Sequence, residues 1–585
     1  MLVAGELTAA EEQLVHAASH GLAADLRGSE ALCDPGSGTS WGPERTIRAE
    51  LLAQLLTGSE ARAPLRLLGA RITGPLDLEG ATLGRWLLLT DCWMDEPVIL
   101  THAAAPLIRM TGCHLPGLDA ENLQIDADLS LDQGFTVRGQ VKVARARIGG
   151  VLSLDGAVLD NPDAIALDAA RLTAGHHVRL GDGFRARGAV HLPGVQISGD
   201  LVLTGARIFH PGDTALTTDQ SQITQSVLAE GLVTEGGIRV SGARVGGSLT
   251  LAGARLTRTG DWAVTATGLQ VTQELHLSGG FTARGGIDLQ AAHLGALIFD
   301  GAELDNPNGF ALEGGWLTVD RQVSCRHGFT ARGEFSLYGA RVGARVDLRE
   351  AGFANPGGLA LDFERLNASA LYLLPHRAPD GLVDLSYAEI GTLHDDPATW
   401  SAHLDLRGLV YRTLINDDVP VRARLDWLER QQQGYAPQPF DQLAAAYRQA
   451  GQEDAARLVA IHKQRRRRRT LHPAGRLLDR LLYLTVGYGY RTWLAALWLL
   501  ALLALGTAVF AHAYPTHMTA TGTPVPAFHP IAYTLDVLVP IVDLGQQKAW
   551  LPTGSALYCS WLLSGAGWVL TTAVAAGLSG VLKRN

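Results

Sequence analysis

Thr485, Val486, Gly487, Tyr488 and Gly489 form a string whose backbone carbonyls, in an ion filter, replace the hydration shell of a potassium ion. Such a filter needs a membrane span and a short pore helix ahead of it. Only 15 residues separate Arg469 from Thr485, and Arg476, Asp479 and Arg480 among them are charged, so no span fits there. The string reads instead as the aromatic, glycine-bent entry of the chain into an apolar segment.

Other residues invite chemistry by type and spacing. Cys92 and Cys113 end similar strings, LLLTDC and IRMTGC, 21 residues apart with His114 adjacent. A metal or redox pair is one reading, and small apolar core residues on adjacent turns is the preferred one. The five cysteines are scattered and lack C-x-x-C spacing, which indicates neither a disulfide framework nor a zinc site and fits a reducing compartment. The nearest approach to a dinucleotide fingerprint, GSGTSWG from Gly36, has Trp41 where the third glycine belongs. No P-loop, H-E-x-x-H or G-x-S-x-G occurs, so a noncatalytic role without a cofactor is expected.

Charge gives a more regular pattern. Arg138, Arg187, Arg284 and Arg332 share one repeat position, interrupted by Glu235, and Arg147, Arg244 and Arg341 share another. Stacked repeats would align them along an edge able to hold an acidic polymer or an acidic protein partner. Repeat duplication alone also makes such ladders. The net charge is -9, with no basic excess to suggest nucleic acid as a partner.

The elements that must position these residues follow from periodicity. Phe135, Phe184, Leu232, Phe281 and Phe329 recur at intervals of 49, 48, 49 and 48, and Asn161-Pro162, His210-Pro211, Arg258-Thr259, Asn306-Pro307 and Asn355-Pro356 keep the same period. Within it, short alternating runs such as LDLEG, LSLDG, LVLTG and LTLAG end at glycine and are too short for helices. A rung of this kind cannot bury its apolar face alone, so rungs stack into a continuous core. Coils of roughly 22 to 24 residues would give about 15 rungs and a rod about 70 Å long. The strings LDLEGATL and LSLDGAVL resemble those of pentapeptide-repeat and bactofilin-like proteins, which implies a right-handed β-helix over about 350 residues. The resemblance departs in coil length, since pentapeptide coils are about 20 residues.

Flanking segments read differently. Residues 1–64 are expected to form a helical cap, with a Thr8/Glu11 capping box and a second helix opening at Pro43 whose Ile47, Leu51, Leu52, Leu55 and Leu56 face the first rung. The β-solenoid occupies 65–420, and a helical hairpin divided at Gly451 occupies 421–470. That hairpin ends in Arg465, Arg466, Arg467, Arg468 and Arg469, which either hold anionic lipid headgroups or only set topology. An interfacial amphipathic segment covers 471–491, and 492–585 forms a membrane domain with two transmembrane helices, Thr492 to Ala511 and Ser555 to Leu582, both uncharged. Glycines and alanines in the second permit close helix packing and a homo-oligomer. The basic residues at 465–469 and 583–584, with no export signal at the start, place both ends in the cytosol of a bacterial cell, at its inner membrane.

Between the two runs lies IAYTLDVLVPIVDLGQQKAWLPTG, which resembles the pore-loop layout of two-helix channels, with Thr534, Asp536, Asp543 and Gly545 in the places of threonine, acid and glycine. The glycine pair that lines a potassium filter is missing, and an external interfacial helix is the preferred reading. The whole layout also resembles chains labelled membrane-associated oxidoreductases, which implies redox chemistry that no motif here accompanies. The expectation is therefore a membrane protein presenting a cytosolic β-solenoid as a scaffold or binding rod, with a channel or sensor and an oxidoreductase as alternatives.

Overall fold

The computed structural model describes residues 7–27, 35–58, 63–415, 418–431, 434–470, 493–521 and 526–582. The chain divides into two compact units, Met1–Gly434 and Tyr435–Asn585.

The first unit is a parallel β-solenoid of about 16 turns, one more than coil length suggested. Every rung pairs with the next in parallel, in two sheets of 25 and 20 strands. Phe135, Phe184, Leu232, Phe281 and Phe329 are fully buried, so the phenylalanine period marks the core column. The 48-residue period resolves into two unequal coils. Thr173, Gln196, Gln222, Arg244, Gln270 and His293 stack in register, so successive coils take 23, 26, 22, 26 and 23 residues.

The longer coils carry the Asn-Pro marker on a bulge. Between Asp305 and Phe310 the chain leaves the sheet, so that its neighbours across the rung are Arg332 and Glu334, with Gly333 alone opposite the bulge. Asn306 closes it by donating its side-chain N–H to the Phe310 carbonyl at 2.8 Å, and Asn161 and Asn355 do the same for Ile165 and Leu359. Gly333 has φ +111°, and a Cβ there would strike the Asn306 and Gly309 carbonyls. Glycine is required at this point.

Helices close both ends of the rod. At the N-terminal end α1 (Ala9–His20) has the expected capping box, and the buried Glu11 also holds Arg48 at 2.7 Å. The second helix differs from expectation. Pro43–Arg45 is a single 3-10 turn and Thr46–Arg48 is a strand paired with Arg71–Thr73, so α2 runs only over Ala49–Thr57. Ile47 is therefore a strand residue, while Leu51, Leu52 and Leu56 bury as the stripe predicted. Ala23–Asp25 pairs with Arg66–Leu68, so residues before 65 already lay the first rung. A three-residue strand outside the repeat carries too little alternation to be read from sequence.

At the C-terminal end α3 (Val421–Glu429) belongs to the solenoid unit. Its Arg424 makes a bidentate pair with Asp395, both contacts at 2.6 Å and both side chains buried. Trp400 donates its indole N–H to the same carboxylate, and Trp400 and Trp427 flank the guanidinium.

In the second unit, α4 (Gln438–Gln449) and α5 (Glu453–Thr470) form the expected hairpin about Gly451, whose φ is +76°. Among the described residues one helix is long and apolar enough to cross a membrane: Ala496–Ala513, within α6 (Trp493–Ala513). Sequence reading expected two. The other run does form a 28-residue helix, which with α7 (Pro530–Leu538) and α8 (Gln546–Ala549) before it is α9 (Ser555–Leu582). Through Thr572, the last of its described side chains, serines, threonines and glycines dilute its leucines below the same measure. The Thr485–Gly489 string and the amphipathic segment 471–491 lie outside the described residues.

Candidate functional site

Each coil leaves the bulged sheet through a turn, and the residue two before that turn faces away from the apolar core, half-buried at Glu313, Asp362 and Asp384 and buried at Asp288, Ser336 and Asp405. Its amide-accepting carboxylate recurs because an aspartate there can cap the turn: Asp119, Asp168, Asp362, Asp384 and Asp405 each accept the backbone N–H two residues on. That local preference is a structural reason for acids at this position.

The stacking order shows something more. In the first half of the rod the column runs Asp119, Lys142, Asp168, His191, Thr217, Arg239, Thr265, alternating in sign or neutral. In the second half it runs Asp288, Glu313, Ser336, Asp362, Asp384, Asp405. Five acids and one serine stack with no cation in the column. Like charges one rung apart, about 4.8 Å, repel by about 1 to 3 kcal/mol between a water-like and a protein-surface dielectric. Turn capping does not require that cost, since Lys142 and Thr217 hold the same position.

Glu334 joins this strip from the next column inward. It sits in register with Phe310, and Phe310 stacks on Trp262 with ring centroids 6.1 Å apart, over Gly286. Half-burial, then the charges of Asp362 and Glu313, push its carboxyl up to about 7. Burial and then Asp288 and Asp362 raise Glu313; burial and then Asp384 raise Asp362 and Glu364. Glu364 lies 3.6 Å from Arg365, and Asp405 is held by Arg407 at 2.6 Å. Among the described residues Glu313, Glu334, Asp362 and Asp384 make no ion pair. The turn corner beside them exposes two rings: Trp316, 58% exposed and edge-on to Tyr338, and Tyr387, 54% exposed.

Two acids of the other sheet show the contrast, each sealed by an arginine. Burial alone would raise Asp347, yet Arg349 bonds it bidentately and lowers it. Asp300 is likewise lowered by Ser324 and Arg326 against the effect of burial.

The residues singled out from sequence fall as follows. Arg187, Arg284 and Arg332 do stack in one column, on alternate coils. Arg138 follows Val137, which pairs with Leu159. The intervening coils supply acids: Asp160 lies 3.9 Å from Arg187 and Asp305 lies 3.6 Å from Arg332, with Asp305 also in register with Arg284. Arg147, Arg244 and Arg341 lie in the glutamine-rich column of the other sheet. Arg465–Arg469 lie in the last turns of α5, where cationic residues complement the C-terminal helix dipole. The side chains of Arg468 and Arg469 lie outside those described. Thr534 is buried in α7 and donates to the Pro530 carbonyl, Asp536 binds backbone amides, Asp543 pairs with Lys548 at 2.5 Å, and Gly545 takes the left-handed turn before α8. Cys92 and Cys113 are free thiols in the core. Among the described residues no group of three or more His, Cys, Asp or Glu could hold a metal ion.

Sequence reading missed the acidic strip. The 48-residue period links Asp288 to Asp384 and Glu313 to Asp362, but the two sets lie on alternate coils of unequal length, so it does not join one set to the other. The signal was an acid after an aliphatic residue just before each turn, as in IDLQ, ALEGG, ALDFER, LVDLS and HLDLRG. Comparison with protein-family models, with curated proteins and with solved structures found no match.

Proposed function

We propose that this protein is a membrane-tethered binding rod whose acidic strip, Asp288 to Asp384 with Glu334, docks an arginine- or lysine-rich segment of another protein. The observation that carries this reading is the uncompensated stacking of carboxylates on one half of a column that is balanced on the other half. Repelling, partly desolvated carboxylates gain when a cation arrives, and exposed Trp316 and Tyr387 beside them suit guanidinium stacking. An extended strip also matches an extended basic chain better than a compact metal ion.

In this reading α6 and α9 both cross the bilayer of a bacterial inner membrane, and the solenoid works on the cytosolic side as a noncatalytic scaffold. The arginines of 465–469 rest on anionic headgroups at the same face. An anionic ligand on the edge of Arg138, Arg187, Arg284 and Arg332 is less favoured, because Asp160 and Asp305 already neutralise part of that edge.

Titration of the detergent-solubilised full chain with decalysine tests the proposal. Binding should weaken steeply with added salt and fall at least about tenfold, roughly 1.4 kcal/mol, in the Glu313→Gln/Glu334→Gln/Asp362→Asn variant. Equal binding by this variant and the parent would refute the strip as the site.

A further inference from the structure

The segment between the two long helices of the second unit is held by glycines. α7 packs between α6 and α9, with Tyr533, Thr534, Val537 and Leu538 buried. In α6, Gly506 leaves room for Thr534, whose methyl would lie 2.5 Å from a Cβ placed there. In α9, Gly567 accommodates the Leu538 carbonyl, which any Cβ would overlap, and Ser564 donates its hydroxyl to the Val537 carbonyl at 3.2 Å.

These contacts measure depth along the helices. Gly506 lies seven residues before the end of α6, and Gly567 lies twelve residues after the start of α9. At 1.5 Å per residue the two sites are about 10 Å and about 18 Å from the helix ends that the 514–554 segment joins. α7 therefore descends between the long helices from Pro530, and Leu538 is its deep end.

The chain then returns through Val539, Pro540, Ile541 and Val542. The Asp536 carboxylate ties this return arm back to α7, accepting the amides of Leu544, Gln546 and Gln547 at 2.5, 2.8 and 3.2 Å. The turn at the deep end has no polar side chain, and Ile541 is 82% exposed. Charge reappears only at Asp543 and Lys548, which pair with each other. A rigid turn that aims an isoleucine outward at this depth suits hydrocarbon, and it supplies no polar lining for an ion path.

We propose that residues 530–550 form a re-entrant wedge that enters the membrane from the side of the 514–554 segment, with the Val539–Val542 turn in contact with lipid acyl chains. This rests on reading α6 and α9 as membrane spans. The test uses nitroxide labels on single cysteines introduced in the full chain, with Cys33 and Cys559 changed to serine, reconstituted in phosphatidylcholine vesicles. Three variants are compared: Ile541→Cys, Lys548→Cys and Leu505→Cys, the last on an exposed face of α6.

Ile541→Cys should be relaxed by oxygen and lose its response to a water-soluble nickel chelate, whereas Lys548→Cys should respond to the chelate. If Leu505→Cys is shielded from the chelate and Ile541→Cys is not, the wedge is refuted while the span stands. If Leu505→Cys itself responds to the chelate, the span and the wedge fall together.

Discussion

The two halves of the solenoid carry the same outward column on the same backbone. Between Asp119 and Thr265 its charges alternate with cations or give way to neutral residues, and between Asp288 and Asp405 they accumulate. The fold accepts either pattern, because lysine and threonine occupy the position from which an aspartate elsewhere caps the turn. The accumulated half is the costlier one, and a cost that the fold does not require points to something outside it. A third arrangement, the acid sealed by a dedicated arginine, occurs at Asp347, Asp300 and Asp395. The same seal closes the last acid of the column, Asp405, through Arg407, while Glu313, Glu334, Asp362 and Asp384 have none among the described residues.

The largest effect is expected where a sealed acid is unsealed. Arg424→Met would leave Asp395 buried without its bidentate partner, and chemical denaturation should report a loss of about 3–5 kcal/mol from the solenoid unit. A loss below about 1 kcal/mol would mean that sealing matters little, and the contrast with the strip would lose its meaning.

One substitution made in both halves sharpens the comparison. Ser336→Asp inserts a carboxylate between Glu313 and Asp362 and should destabilise the protein by about 2 kcal/mol at pH 8. Thr217→Asp places the same group between His191 and Arg239 and should change stability by no more than about 0.5 kcal/mol. Equal effects at the two sites would erase the distinction.

The smallest effect concerns Glu334 alone. Its folded value of about 7 lies above its ordinary 4.5, so the folded state holds the proton over an interval in which the unfolded chain has released it. Its contribution to stability falls as pH rises from 4.5 to 7, and the cost is complete above 7. Glu334→Gln should therefore stabilise the protein by about 1 kcal/mol at pH 8, discounted for half-exposure, and leave it unchanged near pH 4. Thermal melts of the two proteins at both pH values provide the check.

Much of this architecture was legible in the residues. Five phenylalanine and leucine positions marked the core column and Thr8 with Glu11 the first cap, whereas Asn306 and its equivalents marked the period but not the bulge that they close. The alternation of short and long coils was not legible, because a 48-residue period is compatible with any division into two. That missing division hid the strip: Glu313 and Asp362 come from equivalent coils, but Asp288 and Asp384 come from the coils between, and only the register places them in one column. The arginine ladder was visible for the opposite reason, since its members all fall on equivalent coils. Their neutralising partners, Asp160 and Asp305, lie on the alternate ones.

The most direct test of the strip is the proton it should give up. At pH 7 Glu334 is about half protonated, and a bound cation favours its ionised form. Adding decalysine to the weakly buffered full chain at pH 7 should acidify the solution, and Glu334→Gln should abolish most of that release. Binding without acidification in the parent protein would contradict the account.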